Sequence, residues 1–251
     1  MNGILICNKE VGEGKAINTR AEIREELVEK KSLFLNTGNQ FVGNTDNHLT
    51  GYCTIDPLLP YVRRLLELVN MMVDPFIEDG VEAILSAGVG AIPLGHLAAN
   101  VLIERTGRDV HAAFTERVES KKQAITRYGS VGAIAGRKLL VIDGIVNTTS
   151  TGSGLIDIGR ELGCDVRGMS SIVANRGAST KSLSVRKFFS LTDMEYDVFT
   201  PEECADHGPC SERWPMVVDP SLGHGDRFQK QHPEYMGDFV TILPPEIPVN
   251  S

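Results

Sequence analysis

The stretch LLVIDGIVNTTSTGSGLIDIG, Leu139 to Gly159, decides the reading of the fold. Its opening apolar run has the length of a buried strand and carries Asp143 toward the strand's end. A loop of Thr, Ser and Gly follows, and a helix is expected from about Gly154 to Gly163. Such a segment gathers backbone N–H groups, hydroxyls and the positive end of a helix around one point, a combination suited to a phosphate monoester. An ordinary strand-to-helix turn uses the same residue types, so taken alone the segment admits both readings. It is not a Walker loop, because the Gly-Lys-Ser/Thr ending is missing.

The same rhythm extends on both sides. VEAILSAG (81–88), a helix from about Pro93 to Thr106, DVHAAFTER (109–117), KLLVIDGIV (138–146) and DVRGMSSIVAN (165–175) alternate short apolar runs with helical spacing. Alternation of this kind predicts an α/β fold, a central and mainly parallel sheet flanked by helices. Ligands on such sheets sit beyond the carboxyl ends of the strands, which directs attention to the turn Ser86–Gly90 and to the loop after Asp143. The Ser86–Gly90 turn also fits simple close packing of helix on strand.

The N-terminal part reads differently. TRAEIREELVEKKSLFL (19–35) has an N-cap candidate in Thr19 and places Ile23, Leu27 and Leu33 or Phe34 on a helical period, so one amphipathic helix is expected. FLNTGNQFVGNTDNHLTGYCTID (34–56) predicts short strands joined by turns. YVRRLLELVNMMVDPFIED (61–79) predicts a helix ending at Asp74, before Pro75. After Asn175 a basic loop, GASTKSLSVRKFFS (177–190), leads to a tail rich in Pro and acidic residues, expected to be extended beyond about Pro233.

Composition narrows the partners. With 25 Lys+Arg against 33 Asp+Glu, the 251-residue chain carries a formal charge of -8, so no global field draws in nucleic acid or an anionic membrane. A bound phosphate must be held by local geometry. No apolar run approaches the roughly 20 residues that span a bilayer, and MNGILICNKEVGEGK lacks the basic flank and apolar stretch of a signal peptide, so a cytoplasmic location is expected. Cys7, Cys53, Cys164, Cys204 and Cys210 read as reduced thiols. Cys204, His207 and Cys210 in EECADHGPC offer zinc ligands, but the spacing is not a CxxC knuckle and no second pair follows, so no metal site is assigned.

The segment 139–159 resembles the phosphoribosyl pyrophosphate signature of type I phosphoribosyltransferases: apolar residues, acidic residues, then a Thr/Gly loop opening a helix. VEAILSAGVGAIPLGHLAANVL (81–102) is similar to the family's pyrophosphate loop and helix. DVHAAFTERVESKKQAITRYG (109–129) is similar to its strand and mobile loop. TGNQFVGNTDNHLTGYCTIDPLLPYV (37–62) resembles the N-terminal hairpin of the orotate branch, and SLTDMEYDVFTPEEC with GPCSERWPMV matches its end more weakly. The four main blocks fall in family order over roughly residues 20 to 218.

The resemblance implies a type I phosphoribosyltransferase fold, with an N-terminal helix and hood hairpin in residues 1–60, a core in 61–190, and a C-terminal hood segment and tail in 191–251. It implies transfer of phosphoribose from phosphoribosyl pyrophosphate to a nitrogenous base, orotate first among them, with Mg2+ sharing the charge of the leaving pyrophosphate. The small-molecule substrates would be the only partners besides a second copy in a homodimer. Asp143 would contact the ribose hydroxyls, and Lys121 or Lys122, with Arg127, would face the departing pyrophosphate. Ala87, Gly88, Val89 and Gly90 would approach the pyrophosphate, and Thr151, Gly152, Ser153 and Gly154 would cradle the 5'-phosphate. Phe41 and Tyr52 carry over to the base side. Lys121 and Lys122 also fit a solvated pair on a loop.

Three positions depart from the family. The second acidic position of the signature is Gly144. Choosing TGSG (151–154) as the cradle makes the loop about three residues longer than usual, whereas an ungapped reading puts the cradle at Asn147 to Ser150. Where the orotate branch has Tyr-x-x-Lys-Asp, this chain reads Tyr52-Cys53-Thr54-Ile55-Asp56, and its Gly-His-Phe is Asn39-Gln40-Phe41. Loss of a cation facing an anionic base removes a contact worth roughly 1.5 to 3 kcal/mol, which leaves a second reading open: a degenerate transferase fold that senses a phosphorylated ribose or nucleotide.

Overall fold

A computed structural model of the chain describes residues 19–35, 38–42, 47–118, 123–147, 149–175, 177–218 and 239–241. Helix α1 (Arg20–Glu29) opens on a capping box: Thr19 Oγ1 accepts from the Glu22 N–H, and the Glu22 carboxylate accepts from the Thr19 N–H. Ile23 and Leu27 are buried on its inner face. The helix stops short of the expected Leu33 or Phe34 because Lys31 enters the left-handed region at φ 55. Leu33–Leu35 instead forms β1, antiparallel to β4 (Gly51–Cys53), with β2 (Gln40–Val42) and β3 (His48–Leu49) between them in sequence. Helix α2 (Val62–Val73) buries Leu65, Leu68, Val69, Met72 and Val73, spaced to make one stripe, and gives way to a 3-10 segment at Asp74, before Pro75 as expected.

The central sheet comprises β5 (Ala83–Ala87), β6 (His111–Arg117), β7 (Gln123–Ala124), β8 (Lys138–Val146), β9 (Asp165–Asn175) and β10 (Phe188–Met194). Their order is β10-β9-β8-β5-β6-β7, parallel except for β7, which runs against β6. Helix α3 (Gly88–Thr106) follows β5, α4 (Ser130–Ile134) precedes β8, and α5 (Thr149–Glu161) links β8 to β9. Alternation along the strands splits the core into two layers. Ile84, Leu140 and Ile142 join α1, α2 and α3 on one face, while Ala83, Leu85, Leu139 and Val141 join α4 and α5 on the other. Each fully buried Leu or Ile contributes about 1.5–3 kcal/mol, so the strands are the stiff part of the molecule.

Strand β10 was not expected, and its Phe188–Met194 span continues the core past residue 190, where the sequence placed the core boundary. A second sheet, ordered β11-β3-β2-β12-β13, adds β11 (Val198–Phe199), β12 (Met216–Val218) and β13 (Phe239–Thr241) to the N-terminal strands, with α6 (Pro201–His207) beside it. This small sheet, which joins N-terminal strands to C-terminal ones, is called the hood below. No helix among the described residues is long and apolar enough to cross a membrane.

Candidate active site at the strand ends

The chain leaves β5 in one direction to form β6 and returns on the other side of β5 as β8, so the order reverses between β5 and β8. In open α/β sheets a crevice opens at that reversal, outside the carboxyl ends of the two strands. Two segments singled out by sequence meet there: Ala87–Gly90 after β5 and the loop from Asp143 into α5.

At the end of β5, Ala87 is extended and caps α3, which begins at Gly88, five residues before the expected Pro93. Gly88 adopts φ 77, a left-handed conformation that favours glycine, and no atom stands within 4 Å of the place of a Cβ there. Val89 is 84% exposed. A Cβ on Gly90 would meet Ile55 Cδ1 and Cγ1 at 3.0 Å. The close-packing alternative also has a place: a Cβ on Gly95, about two turns into α3, would meet Ser86 Oγ at 2.7 Å.

At the end of β8, the half-buried Asp143 accepts a 2.7 Å hydrogen bond from the Gly144 N–H on Oδ1, and a second from the Ile145 N–H. Burial pushes its carboxyl up to about 7, against the lowering effect of those two donors. Gly144 lies under Ile55, whose Cδ1 is 2.5 Å from where a Cβ would be. The positions at which both departures fall are therefore in contact. Sequence reading recorded each loss separately and missed this pairing.

Helix α5 begins at Thr149, not near Gly154. Thr151, Gly152, Ser153 and Gly154 lie inside the helix, and Gly152 is buried, with Met169 Sδ 2.9 Å and Leu183 Cδ2 3.0 Å from a Cβ on it. The positive end of the helix thus falls at Thr149–Thr151, where the ungapped cradle ends and the gapped one begins, while Gly152 to Gly154 lie beyond it. Asn147, just before it, accepts from Asn175 Nδ2 at 3.1 Å and hydrogen-bonds to Tyr196, joining the ends of β8 and β9 to the segment that enters the hood. No motif pointed to Asn175 or Tyr196.

Other expected site residues are placed less favourably. Phe41 and Tyr52 stack at 5.6 Å inside a hood core with Leu49, Phe34 and Tyr196, only 2% and 8% exposed, so their rings are packing and not an open base platform. Arg127 is exposed, 2.5 Å from the Glu116 carboxylate and over the Phe114 ring, and Thr126 donates to the same carboxylate. Lys121 and Lys122 lie outside the described residues. His207 is exposed beside Asp206, while Cys204 and Cys210 meet His48 instead. A cavity of about 430 Å³ between α1, α2 and β10 is lined by none of the crevice residues, so its size says nothing about this crevice.

No protein-family model matches the chain. It is 25% identical over 185 residues to an orotate phosphoribosyltransferase of Desulforamulus reducens, an overlap of 72% of this chain and 90% of that one. Among solved structures, a phosphoribosyltransferase from Corynebacterium diphtheriae superposes with a TM-score of 0.51 over 69% of this chain and 95% of that one, at 16% identity. The orotate phosphoribosyltransferase of Aeropyrum pernix gives 0.50 over 68% and 93%, at 15% identity. The switch-point crevice, the two glycine- and hydroxyl-rich strand ends and these superpositions define a type I phosphoribosyltransferase fold. In sequence the chain is similar, at 25% and 26% identity, to curated orotate phosphoribosyltransferases.

Proposed function

We propose that the chain transfers a phosphoribosyl group from phosphoribosyl pyrophosphate to a nitrogenous base, with orotate the first base to try. The observation that carries this reading is the meeting of Ala87–Gly90 with Asp143 and the start of α5 at Thr149–Thr151, at the reversal point between β5 and β8. The 5'-phosphate would sit on the positive end of α5 at Thr149–Thr151, and the pyrophosphate would approach the backbone of Gly88–Gly90. Asp143 would accept from the ribose hydroxyls. In the reaction the C1'–O bond to pyrophosphate breaks as a nitrogen of the base bonds to C1', so the protein must align the two and keep water out.

Magnesium fits this site as an ion carried largely by the substrate's own oxygens, since Mg2+ commonly uses one or two carboxylates plus phosphates. Asp143 is the carboxylate at the strand end, and Asp56 Oδ1 lies 3.9 Å from a Cβ on Gly90. When bound, the ion would neutralise charge on the leaving group.

A second reading has its own support. Ile55 occupies the space where the family has a lysine, and it covers Gly144 where the family has an acid. A site with an apolar side chain in place of a cation and glycine in place of a carboxylate favours a neutral base, or ligand sensing without turnover. The test is magnesium-dependent pyrophosphate release from phosphoribosyl pyrophosphate with orotate, uracil, nicotinate and the purine bases offered in turn. Release with one of them supports the transferase; binding of phosphoribosyl pyrophosphate with no release moves the assignment to the sensor.

A further inference from the structure

Away from the crevice, the fold gathers three metal-binding side chains from distant parts of the chain. His48 on β3 and Cys210 after α6 are 162 positions apart, yet Nδ1 lies 3.1 Å from Sγ. Cys204, within α6, completes the group, and the three donor atoms all lie within 4.8 Å of one another. Tetrahedral zinc holds sulfur at about 2.3 Å and imidazole nitrogen at about 2.0 Å, which sets neighbouring donors roughly 3.5–4 Å apart. One ion therefore reaches all three with small side-chain adjustments.

The surroundings are organised for this. His48 is 4% exposed and Cys204 0%. The Cys210 backbone N–H donates to Cys204 Sγ at 3.2 Å, which holds the two cysteines in one turn. The Cys204 carbonyl accepts from the Gly208 and Ser211 N–H groups, which closes the turn between the cysteines. Gln40 Oε1 accepts from both thiols, at 3.4 and 3.2 Å, while its Nε2 donates to the Trp214 carbonyl at 2.8 Å. Two sulfurs and one imidazole select a borderline-soft ion over Mg2+ or Ca2+.

We propose that His48, Cys204 and Cys210 bind one zinc ion that fastens α6 and its following turn to the hood sheet, with a fourth position for water or another donor. Such a link closes a long loop of chain and fixes the C-terminal segment over the N-terminal strands.

The experiment uses the tag-free full-length chain purified from zinc-supplemented medium without chelator. Metal is measured by inductively coupled plasma mass spectrometry, and the chelated protein is then titrated with Co2+. The expected result is about one zinc per chain and a thiolate-to-cobalt charge-transfer band. Both are lost in Cys204→Ser and Cys210→Ser and kept in His207→Ala and Cys53→Ser, with circular dichroism confirming that each variant is folded. Should the cysteine variants not fold, the wild-type cobalt band decides. A wild type with neither zinc nor the band, retention of both in a folded Cys204→Ser chain, or a native Cys204–Cys210 disulfide in metal-free protein would overturn the proposal.

Discussion

Ile55 rests directly on Gly144: its Cδ1 is 2.5 Å, and its Cγ1 and Cγ2 are 3.2 Å, from where a Cβ on residue 144 would stand. Position 144 cannot regain the family's acidic side chain without displacing Ile55. Gly144→Asp puts a carboxylate against an apolar side chain and should destabilise the fold by about 1–3 kcal/mol. Adding Ile55→Lys supplies both room and a counter-charge, and the double variant should recover about 1 kcal/mol or more relative to the sum of the singles. Urea unfolding of the four proteins measures this coupling. Additive effects would mean that the two sites are independent.

Asp143 sets a pH dependence. Its folded-state carboxyl stands at about 7, above its ordinary 3.8. Between those values the folded chain holds a proton that the unfolded chain has released, so stability is full below the lower value and falls as pH rises through the upper one. Asp143→Asn should match the wild type near pH 4 and exceed it by on the order of 2 kcal/mol near pH 8. Thermal unfolding across that range provides the check, and equal stability at the alkaline end would remove the burial argument.

One glycine separates the alternative cradles, and a second tests the turn after β5. Gly154 is inside α5 with nothing within 4 Å of a Cβ, so Gly154→Ala should stabilise the helix by about 0.5–1 kcal/mol and leave phosphoribosyl pyrophosphate affinity unchanged. Gly88 has open space but φ 77, and Gly88→Ala should cost about 1–2 kcal/mol and weaken the ligand by distorting the turn. Ligand titration alongside denaturation tests both; weakened binding in Gly154→Ala would restore residues 151–154 as the cradle.

The helix that carries the chain into the hood is held by a largely buried ion pair. Arg64 on α2 reaches Glu26 on α1 through Nη2 at 2.6 Å and Nε at 3.0 Å, with side chains 18% and 10% exposed. Removing the cation in Arg64→Ala leaves Glu26 without it in a dry setting and should cost about 3 kcal/mol, whereas exposed Arg160→Ala, paired with Asp157, should cost under about 1 kcal/mol. Comparable losses in denaturant midpoint for the two would argue against a buried pair.

How much of this was legible follows from where the information lies. KLLVIDGIV and DVRGMSSIVAN became β8 and β9 with the expected ends because continuous apolar runs of that length have few alternatives. Both helix starts were set too late. At α3 the left-handed Gly88 turns the chain straight from strand to helix, and at α5 the Thr/Ser residues that read as loop form the first turn. FFSLTDM escaped notice because it follows Arg186-Lys187 and mixes Ser, Thr and Asp with its apolar residues. The crevice was legible as two separate motifs. The contact of Ile55 with Gly144, the link from Asn147 to Asn175, and the meeting of His48 with Cys204 and Cys210 join residues far apart in sequence, where no local pattern records them.

The central claim is that the crevice between β5 and β8 holds a phosphorylated ribose despite the apolar cover of Ile55. Isothermal titration of phosphoribosyl pyrophosphate into the magnesium-containing wild-type protein tests it most directly. Saturable binding at pH 8, where the Asp143 carboxyl is ionised, weakened about tenfold or more in Asp143→Ala through loss of that charged acceptor, is the predicted result. Absence of binding in the wild type, or binding indifferent to Asp143, would contradict the account.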